Sequence, residues 1–151
     1  AVLSADGTSN VGVMTSDSEG TASNSMNYYE WSSSETSLND YDVRVRFTLP
    51  NDFYSWSTGG ITFNFVTEAT GTTNNKLDFY VYLESSATVD GSSTGQASSS
   101  AGVWKTTTIA GSGLNECTGA GTTCMLIIKM SSVNDSYARV GDIDIQYNRS
   151  L

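Results

Sequence analysis

The stretch that decides the fold is YDVRVRFTL, Tyr41–Leu49. Tyr, Val, Val, Phe and Leu take alternate positions in it, and Asp, Arg, Arg and Thr take the positions between them. Because successive side chains of a strand point to opposite faces, this period of two predicts a strand with one buried and one solvated face. Pro50 follows directly and ends the strand, since proline cannot donate a hydrogen bond to a sheet.

The same alternation recurs along the chain and predicts further short strands. The polar segment EATGTTNN between two of them indicates a hairpin, and a change of apolar phase at Gly141 indicates a β-bulge. Residues 85–102 read as a long polar loop with room for one short edge strand. The clearest additional strands are GITFNFVTE (60–68), KLDFYVYLE (76–84), VWKTTTI (103–109), MLIIKM (125–130) and ARVGDIDIQY (138–147).

About eight strands, with no helical periodicity of useful length, predict an all-β, two-sheet antiparallel sandwich. A jelly roll is the preferred topology and an immunoglobulin-like sandwich the second, because the two cysteines lie too close together for the antibody pattern. The 151 residues suit a single domain, 1–151. Residues 1–15 are interpreted as an extended N-terminal arm or an edge strand.

Composition narrows the classes of partner. Charged residues make up 15% of the chain and the net charge is −9, with no cluster of basic residues. Nucleic acid is therefore excluded as a partner. Membrane insertion is not expected either, because no apolar run approaches the roughly 18 residues that span a bilayer. A Ser- and Thr-rich polar surface favours an extracellular or cell-surface location.

Cys117 and Cys124 are separated by a glycine-containing segment that can fold back on itself, so a disulfide between them is predicted. Two thiols without histidine cannot complete a tetrahedral zinc site. In the chain-entropy model this short loop contributes about 2.5 kcal/mol. A disulfide also indicates an oxidising compartment.

The sequence contains no histidine, which removes serine–histidine and cysteine–histidine catalysis and histidine-ligated metals. The remaining enzymatic possibility is a carboxylate pair of the glycoside hydrolase type, with Glu30 and Glu84 as the candidates. Nothing in the sequence brings these two residues together. The prediction is that the chain is not an enzyme.

Aromatic residues provide a candidate binding site for glycans. Tyr80 and Tyr82 should share the solvated face of their strand, and Tyr54 and Trp56 are predicted to lie in a loop. Flat rings stack on the apolar faces of sugars, and neighbouring polar side chains bind the hydroxyls. The alternative is that these rings serve only packing, because tryptophans in sandwiches commonly fill the core or its rim.

Calcium is the one cofactor that the residue types allow. Asp6, Asn10, Asp142 and Asp144 could supply the hard oxygen ligands that calcium prefers. Their spacing matches no known calcium loop, and the alternative is that they are solvated surface charges. No other cofactor is expected.

The segments NYYEW, DYDVRVRFTLPNDFYSW and YARVGDIDIQY, within residues 27–147, resemble domains of secreted fibre-like bacterial surface proteins. The resemblance implies a jelly-roll-like module in an adhesive, filamentous or virion-like assembly, and brings no catalytic residues. The leading hypothesis is therefore a non-catalytic structural or adhesive domain, with a carbohydrate-binding module as the alternative. Self-association with other surface or fibre subunits would use apolar N-terminal residues that pair into a neighbour's sheet. These residues are Ala1, Val2, Leu3, Val11 and Val13.

Overall fold

The computed structural model describes residues 2–5, 11–20 and 26–150, with the backbone alone at 2–5. One 3-10 turn, Gly111–Gly113, is the only helix in these residues, and no helix there is long and apolar enough to cross a membrane. The strands are β1 Val2–Ala5, β2 Gly12–Glu19, β3 Met26–Ser33, β4 Asn39–Thr48, β5 Phe53–Thr67, β6 Asn75–Leu83, β7 Val89–Gln96, β8 Lys105–Ile109, β9 Thr123–Ser132 and β10 Ala138–Arg149.

The strands form two antiparallel five-stranded sheets, which confirms the predicted jelly-roll sandwich. Sheet A has the order β1-β4-β9-β6-β7 and sheet B has the order β2-β3-β10-β5-β8. The described part of the chain contains ten strands rather than about eight. The sequence VDGSSTGQ of β7 explains part of this difference, because an edge strand with little apolar alternation gives a weak signal.

Two predictions from sequence spacing are wrong. Strands β5 and β6 do not form a hairpin, because β5 lies between β10 and β8 in sheet B while β6 lies between β9 and β7 in sheet A. The polar segment between them passes from one sheet to the other. The other error concerns Tyr54 and Trp56, which lie within strand β5 and not in a loop.

Strand β5 begins earlier than its alternation suggests, because its first residues pair with the end of β10. Trp56 is opposite Tyr147 and Phe53 is opposite Arg149, and the register shifts between these two pairs. Another shift, between Val140 and Ile143, confirms the β-bulge predicted at Gly141. A Cβ atom at Gly141 would lie 2.6 Å from the Met26 sulfur, so the backbone approaches its neighbours closely there.

The core lies between the sheets and is built from the alternating apolar residues of both. Phe63 of sheet B stacks on Phe79 of sheet A with ring centroids 4.4 Å apart, and both side chains are fully buried. Trp31 is also buried, and its indole N–H donates a 2.8 Å hydrogen bond to the Asn39 carbonyl. The inward residues of β9 complete the centre: Leu126, Ile128 and Met130 are each at most 1% exposed.

The N-terminal strands pair within their own chain. Val2 is opposite Arg44 and Leu3 is opposite Val43, so β1 is an edge strand of sheet A. Strand β2 pairs with β3 and is an edge of sheet B, with Val13 61% exposed and Val11 just before the strand. Ala1 lies outside the described residues. Pairing of this region with a neighbouring subunit stays a prediction.

Candidate functional site

The outer face of sheet A carries a group of rings and apolar side chains that we call the tyrosine platform: Tyr80, Tyr82, Met125 and Ile127. Tyr80 and Tyr82 are two positions apart on β6, so they share one face, and their ring centroids are 6.4 Å apart. Tyr80 is opposite Ile127 and Tyr82 is opposite Met125 on β9. All four side chains are half-exposed, which leaves an open, partly apolar surface.

Charged side chains border the tyrosine platform on its β4 side. Arg44 is opposite Ile127 and Arg46 is opposite Met125, so each arginine lies in a cross-strand row that contains one platform tyrosine. Every one of the four basic side chains on this face contacts a carboxylate, and the paired set is neutral overall. The ion pairs are Arg44–Asp42, Arg46–Glu84, Lys76–Asp78 and Lys129–Asp40.

Arg44 and Tyr80 of this face carry hydrogen-bond donors. The Arg44 Nε atom is buried and has no hydrogen-bond partner among the protein atoms described, although its Nη2 atom lies 3.0 Å from Asp42. Burial, and after it the negative charge of Asp78, raises the pKa of Tyr80 above 10.0. The Tyr80 hydroxyl is therefore protonated at neutral pH and is available as a donor.

The second surface is an open pocket of about 410 Å³ between the first half of β5 and the β8–β9 loop (residues 110–122), which we call the aromatic pocket. Its lining combines aromatic rings and hydroxyls with no charged side chain. The Tyr54 side chain is 74% exposed at this pocket. The lining residues are Phe53, Tyr54, Ser55, Trp56, Ser57, Thr58, Gly111, Ser112, Leu114 and Thr118.

Trp56 is held firmly in the wall of the aromatic pocket. Its indole N–H donates a 2.7 Å hydrogen bond to the Cys117 carbonyl, and Phe53 packs against it edge-on at 5.4 Å. At the same pocket, the Ser57 hydroxyl oxygen is buried and has no hydrogen-bond partner among the described protein atoms. A buried polar atom normally has a hydrogen-bond partner, so this oxygen is an exception among the buried polar atoms of the described residues.

The β8–β9 loop is fixed from three directions. The Cys117–Cys124 disulfide, which confirms the sequence prediction, ties the loop to β9. The Asp90 carboxylate accepts backbone N–H bonds of 2.8 to 2.9 Å from Asn115, Glu116 and Cys117. Gly111 allows the close approach to β5, since a Cβ atom there would lie 2.0 Å from the Ser57 carbonyl oxygen. The pocket wall is therefore preformed.

The two glutamates considered for catalysis do not meet. Glu30 lies on β3 in sheet B, where its carboxylate accepts a 2.5 Å hydrogen bond from Arg139. Glu84 follows β6 of sheet A and pairs with Arg46. The Arg139 guanidinium also lies over the Tyr28 ring at 4.6 Å, so this part of sheet B is a packed ionic cluster. The pair needed for glycoside hydrolysis is absent at these two positions.

Two of the four predicted calcium ligands, Asp142 and Asp144, fall within the described residues. Asp142 and Asp144 are exposed on alternate positions of β10, and the Asp144 carboxylate accepts a hydrogen bond from Gln146. Asp6 and Asn10 lie outside the described residues. Within the described ranges, no group of three or more acidic, cysteine or histidine side chains is arranged to hold a metal ion.

The sequence identified the four aromatic residues but not what surrounds them. Arg44 and Ile127 join Tyr80 only through strand pairing, and the β8–β9 loop reaches Trp56 only through long-range packing. The alternation in YDVRVRFTL does place Arg44 and Arg46 on the solvated face. That signal could have marked these two arginines as site candidates.

Comparison with solved structures finds the same fold at low sequence identity. A carbohydrate-binding module from a study of promiscuous specificity in the β-sandwich superfamily has a TM-score of 0.57 and 12% identity, covering 97% of this chain and 57% of that chain. The module TmCBM61, in complex with β-1,4-galactotriose, has a TM-score of 0.50 and 10% identity, covering 91% and 88%. A candidate sugar-binding protein from Bacteroides thetaiotaomicron has a TM-score of 0.51 and 10% identity, covering 97% and 86%.

At these identities the similarity establishes the jelly-roll β-sandwich alone. The chain spans 57% of the length of the first of these structures. No protein-family model matches the sequence, and no curated protein matches it.

Proposed function

We propose that this chain is a non-catalytic carbohydrate-binding module, and that the tyrosine platform holds the glycan. The observation that carries the proposal is the pair of half-exposed tyrosines, 6.4 Å apart on one strand, bordered by Arg44 and Arg46. The faces of the two tyrosine rings offer apolar contact to the C–H faces of consecutive sugar rings, and the arginines offer hydrogen-bond donors to the sugar hydroxyls. The carbohydrate-binding structural neighbours support the same ligand class.

The open surface around the platform favours the middle of a chain over its end. Sheet A presents an open surface here, crossed by rows that run from β4 to β7. Ser92 is opposite Tyr80 and Val89 is opposite Tyr82 on β7, so the surface continues past the rings without a wall of large residues. We propose that a polysaccharide lies across these strands. The disulfide suggests that this binding takes place outside the cell.

The test is binding of the intact chain to a panel of neutral plant, algal and bacterial polysaccharides by affinity electrophoresis and calorimetry. Replacing both tyrosines with alanine (Tyr80→Ala, Tyr82→Ala) should weaken binding about fivefold to a hundredfold, since each aromatic contact contributes about 0.5–1.5 kcal/mol. The matched control, Tyr80→Phe with Tyr82→Phe, keeps both rings and should retain most of the affinity. The proposal fails if no polysaccharide binds or if the double alanine variant binds like the parent.

A second candidate is the structural role in a surface or fibre assembly that the sequence resemblance implies. It is supported by the edge strand β2, on which Val13 is 61% exposed and able to pair with another chain. Light scattering and electron microscopy at increasing concentration would reveal assembly, and Val13→Lys should abolish it. A protein that remains monomeric throughout would eliminate this candidate.

A further inference from the structure

We infer that the aromatic pocket is a second saccharide-binding site, separate from the tyrosine platform and built for one or two uncharged sugar units. It lies on β5 of sheet B and the β8–β9 loop, whereas the platform lies on the outer face of sheet A. The inference rests on the proposed function for its ligand class. The lining residues and the volume of the pocket support the remainder of the inference, namely that a sugar of one or two units binds there.

The lining has the composition that a sugar requires. The rings of Tyr54 and Trp56 provide aromatic surface, with Phe53 buried against Trp56, and the hydroxyls of serine and threonine provide partners for sugar hydroxyls. No charged side chain lines the pocket, so it offers no partner for a carboxylated or sulfated sugar. A volume of about 410 Å³ is at the small end of ligand sites, which limits the occupant to one or two rings.

Two side chains of the pocket support ligand binding over packing alone. The Tyr54 ring is 74% exposed, so it fills no part of the core and is available for stacking. The buried Ser57 hydroxyl oxygen has no hydrogen-bond partner among the protein atoms described. Trp56 is held by its bond to the Cys117 carbonyl and needs no rearrangement to receive a sugar.

A pocket recognises a different part of a glycan than an open platform does. An extended chain can cross the tyrosine platform, but the small pocket suits a terminal sugar or a short branch. Two sites on one domain would let the protein hold a polymer at an internal segment and at an end. Simultaneous engagement would raise the apparent affinity for polymers above that for short fragments.

The experiment follows the indole N–H resonances by NMR while methyl glycosides of glucose, galactose, mannose and xylose are added to the intact chain. The sequence has three tryptophans, and of these Trp31 is buried and Trp104 lies outside the pocket. The Trp56 resonance, assigned with Trp56→Phe, should shift saturably with at least one glycoside. The other two should not respond.

Substitutions in the aromatic pocket test which of its side chains contact the sugar. Tyr54→Ala should weaken the titration about tenfold and Ser57→Ala about threefold to tenfold, because they remove one stacking contact and one hydrogen bond. Tyr54→Phe, which keeps the ring, and Ser100→Ala on an exposed loop are the matched controls and should leave the titration unchanged. Absence of any Trp56 shift across the panel, or an unchanged titration in Tyr54→Ala, would overturn the inference.

The platform variants separate the two proposals. Tyr80→Ala with Tyr82→Ala should leave the Trp56 titration within twofold of the parent while polysaccharide binding is lost. Polysaccharide binding without a Trp56 response would refute the second site alone. If Trp56 responds but the platform variants leave polysaccharide binding unchanged, the proposed function at the platform is refuted instead.

Discussion

The indole Nε1 of Trp56 donates a 2.7 Å hydrogen bond to the carbonyl oxygen of Cys117, the first cysteine of the disulfide. This bond connects strand β5 to the β8–β9 loop across 61 residues of sequence. The disulfide therefore does more than close a short loop, because it also positions a wall of the aromatic pocket. Stability and ligand recognition should respond together when that loop is altered.

Reduction of the disulfide should lower the thermal unfolding temperature. The loop it closes is short, and the chain-entropy model assigns it about 2.5 kcal/mol, which corresponds to a shift of roughly 5–10 °C for a chain of this size. Calorimetry with and without a phosphine reductant measures the shift. The double variant Cys117→Ala, Cys124→Ala is the control and should show no response to reductant. A shift below about 1 °C in the parent would contradict this prediction.

Loss of the Asp90 carboxylate should destabilise the β8–β9 loop. Asp90→Ala removes the acceptor of three backbone N–H groups, and about 2–3 kcal/mol of unfolding free energy should be lost. Asp90→Asn keeps one carbonyl acceptor and should lose less. Urea unfolding followed by tryptophan fluorescence measures both variants. Equal stability of the alanine variant and the parent would show that the loop is held without Asp90.

Polysaccharide binding should be insensitive to pH near neutrality and decline in alkali. Burial, followed by the charge of Asp78, raises the pKa of Tyr80 above 10.0, so its hydroxyl is neutral below that value. The folded protein favours the protonated form of Tyr80. The stability that this form contributes is fully present below pH 10 and is lost as the pH rises through the pKa of Tyr80 in the folded protein. Calorimetric titrations from about pH 6 to 11 test this, with Tyr80→Phe as the variant that should lose the alkaline decline. A decline that begins near pH 8 would exclude Tyr80 as its cause.

Binding to the tyrosine platform should depend little on salt. Each of its bordering cations already contacts a carboxylate, for example Arg44 with Asp42 at 3.0 Å, so the face presents no net positive charge to an anionic glycan. Affinity for a neutral polysaccharide should change less than about twofold between low and high sodium chloride concentration. Polygalacturonate, tested in parallel, should not bind. Tight, salt-sensitive binding of that polymer would refute the prediction.

Ser57→Ala should stabilise the protein slightly while it weakens sugar binding in the aromatic pocket. A buried hydroxyl without a partner costs about 1–3 kcal/mol, so its removal should raise the unfolding temperature by a few degrees. Differential scanning calorimetry of the variant beside Ser100→Ala measures the effect. A fall in unfolding temperature would mean that the Ser57 hydroxyl has a structural partner.

The interior of the sandwich could be predicted well because its signal is local. The alternation in Tyr41–Leu49 places Val43 on the buried face and Arg44 on the solvated one, as observed. The β-bulge at Gly141 could be predicted for the same reason, since a phase change in apolar residues is visible within one strand. The disulfide followed from two cysteines at short separation.

The error in pairing β5 with β6 has a different origin. Both segments have correct strand patterns, but sequence spacing does not tell whether a polar connection turns back within a sheet or passes to the other one. The placement of Tyr54 and Trp56 failed because their segment lacks strict alternation and is ordered by pairing with β10. These features depend on contacts between residues far apart in sequence.

The sequence by itself determined the fold class, the buried face of the main strands, the disulfide and the absence of histidine chemistry, because each depends on residue type and local periodicity. Only the tertiary structure decided which side chains meet. Arg44 and Tyr80 share a row because β9 lies between their strands, and Ser57 lies beside Gly111 because the β8–β9 loop folds onto β5. Register and loop packing are long-range properties, and both proposed sugar sites depend on them.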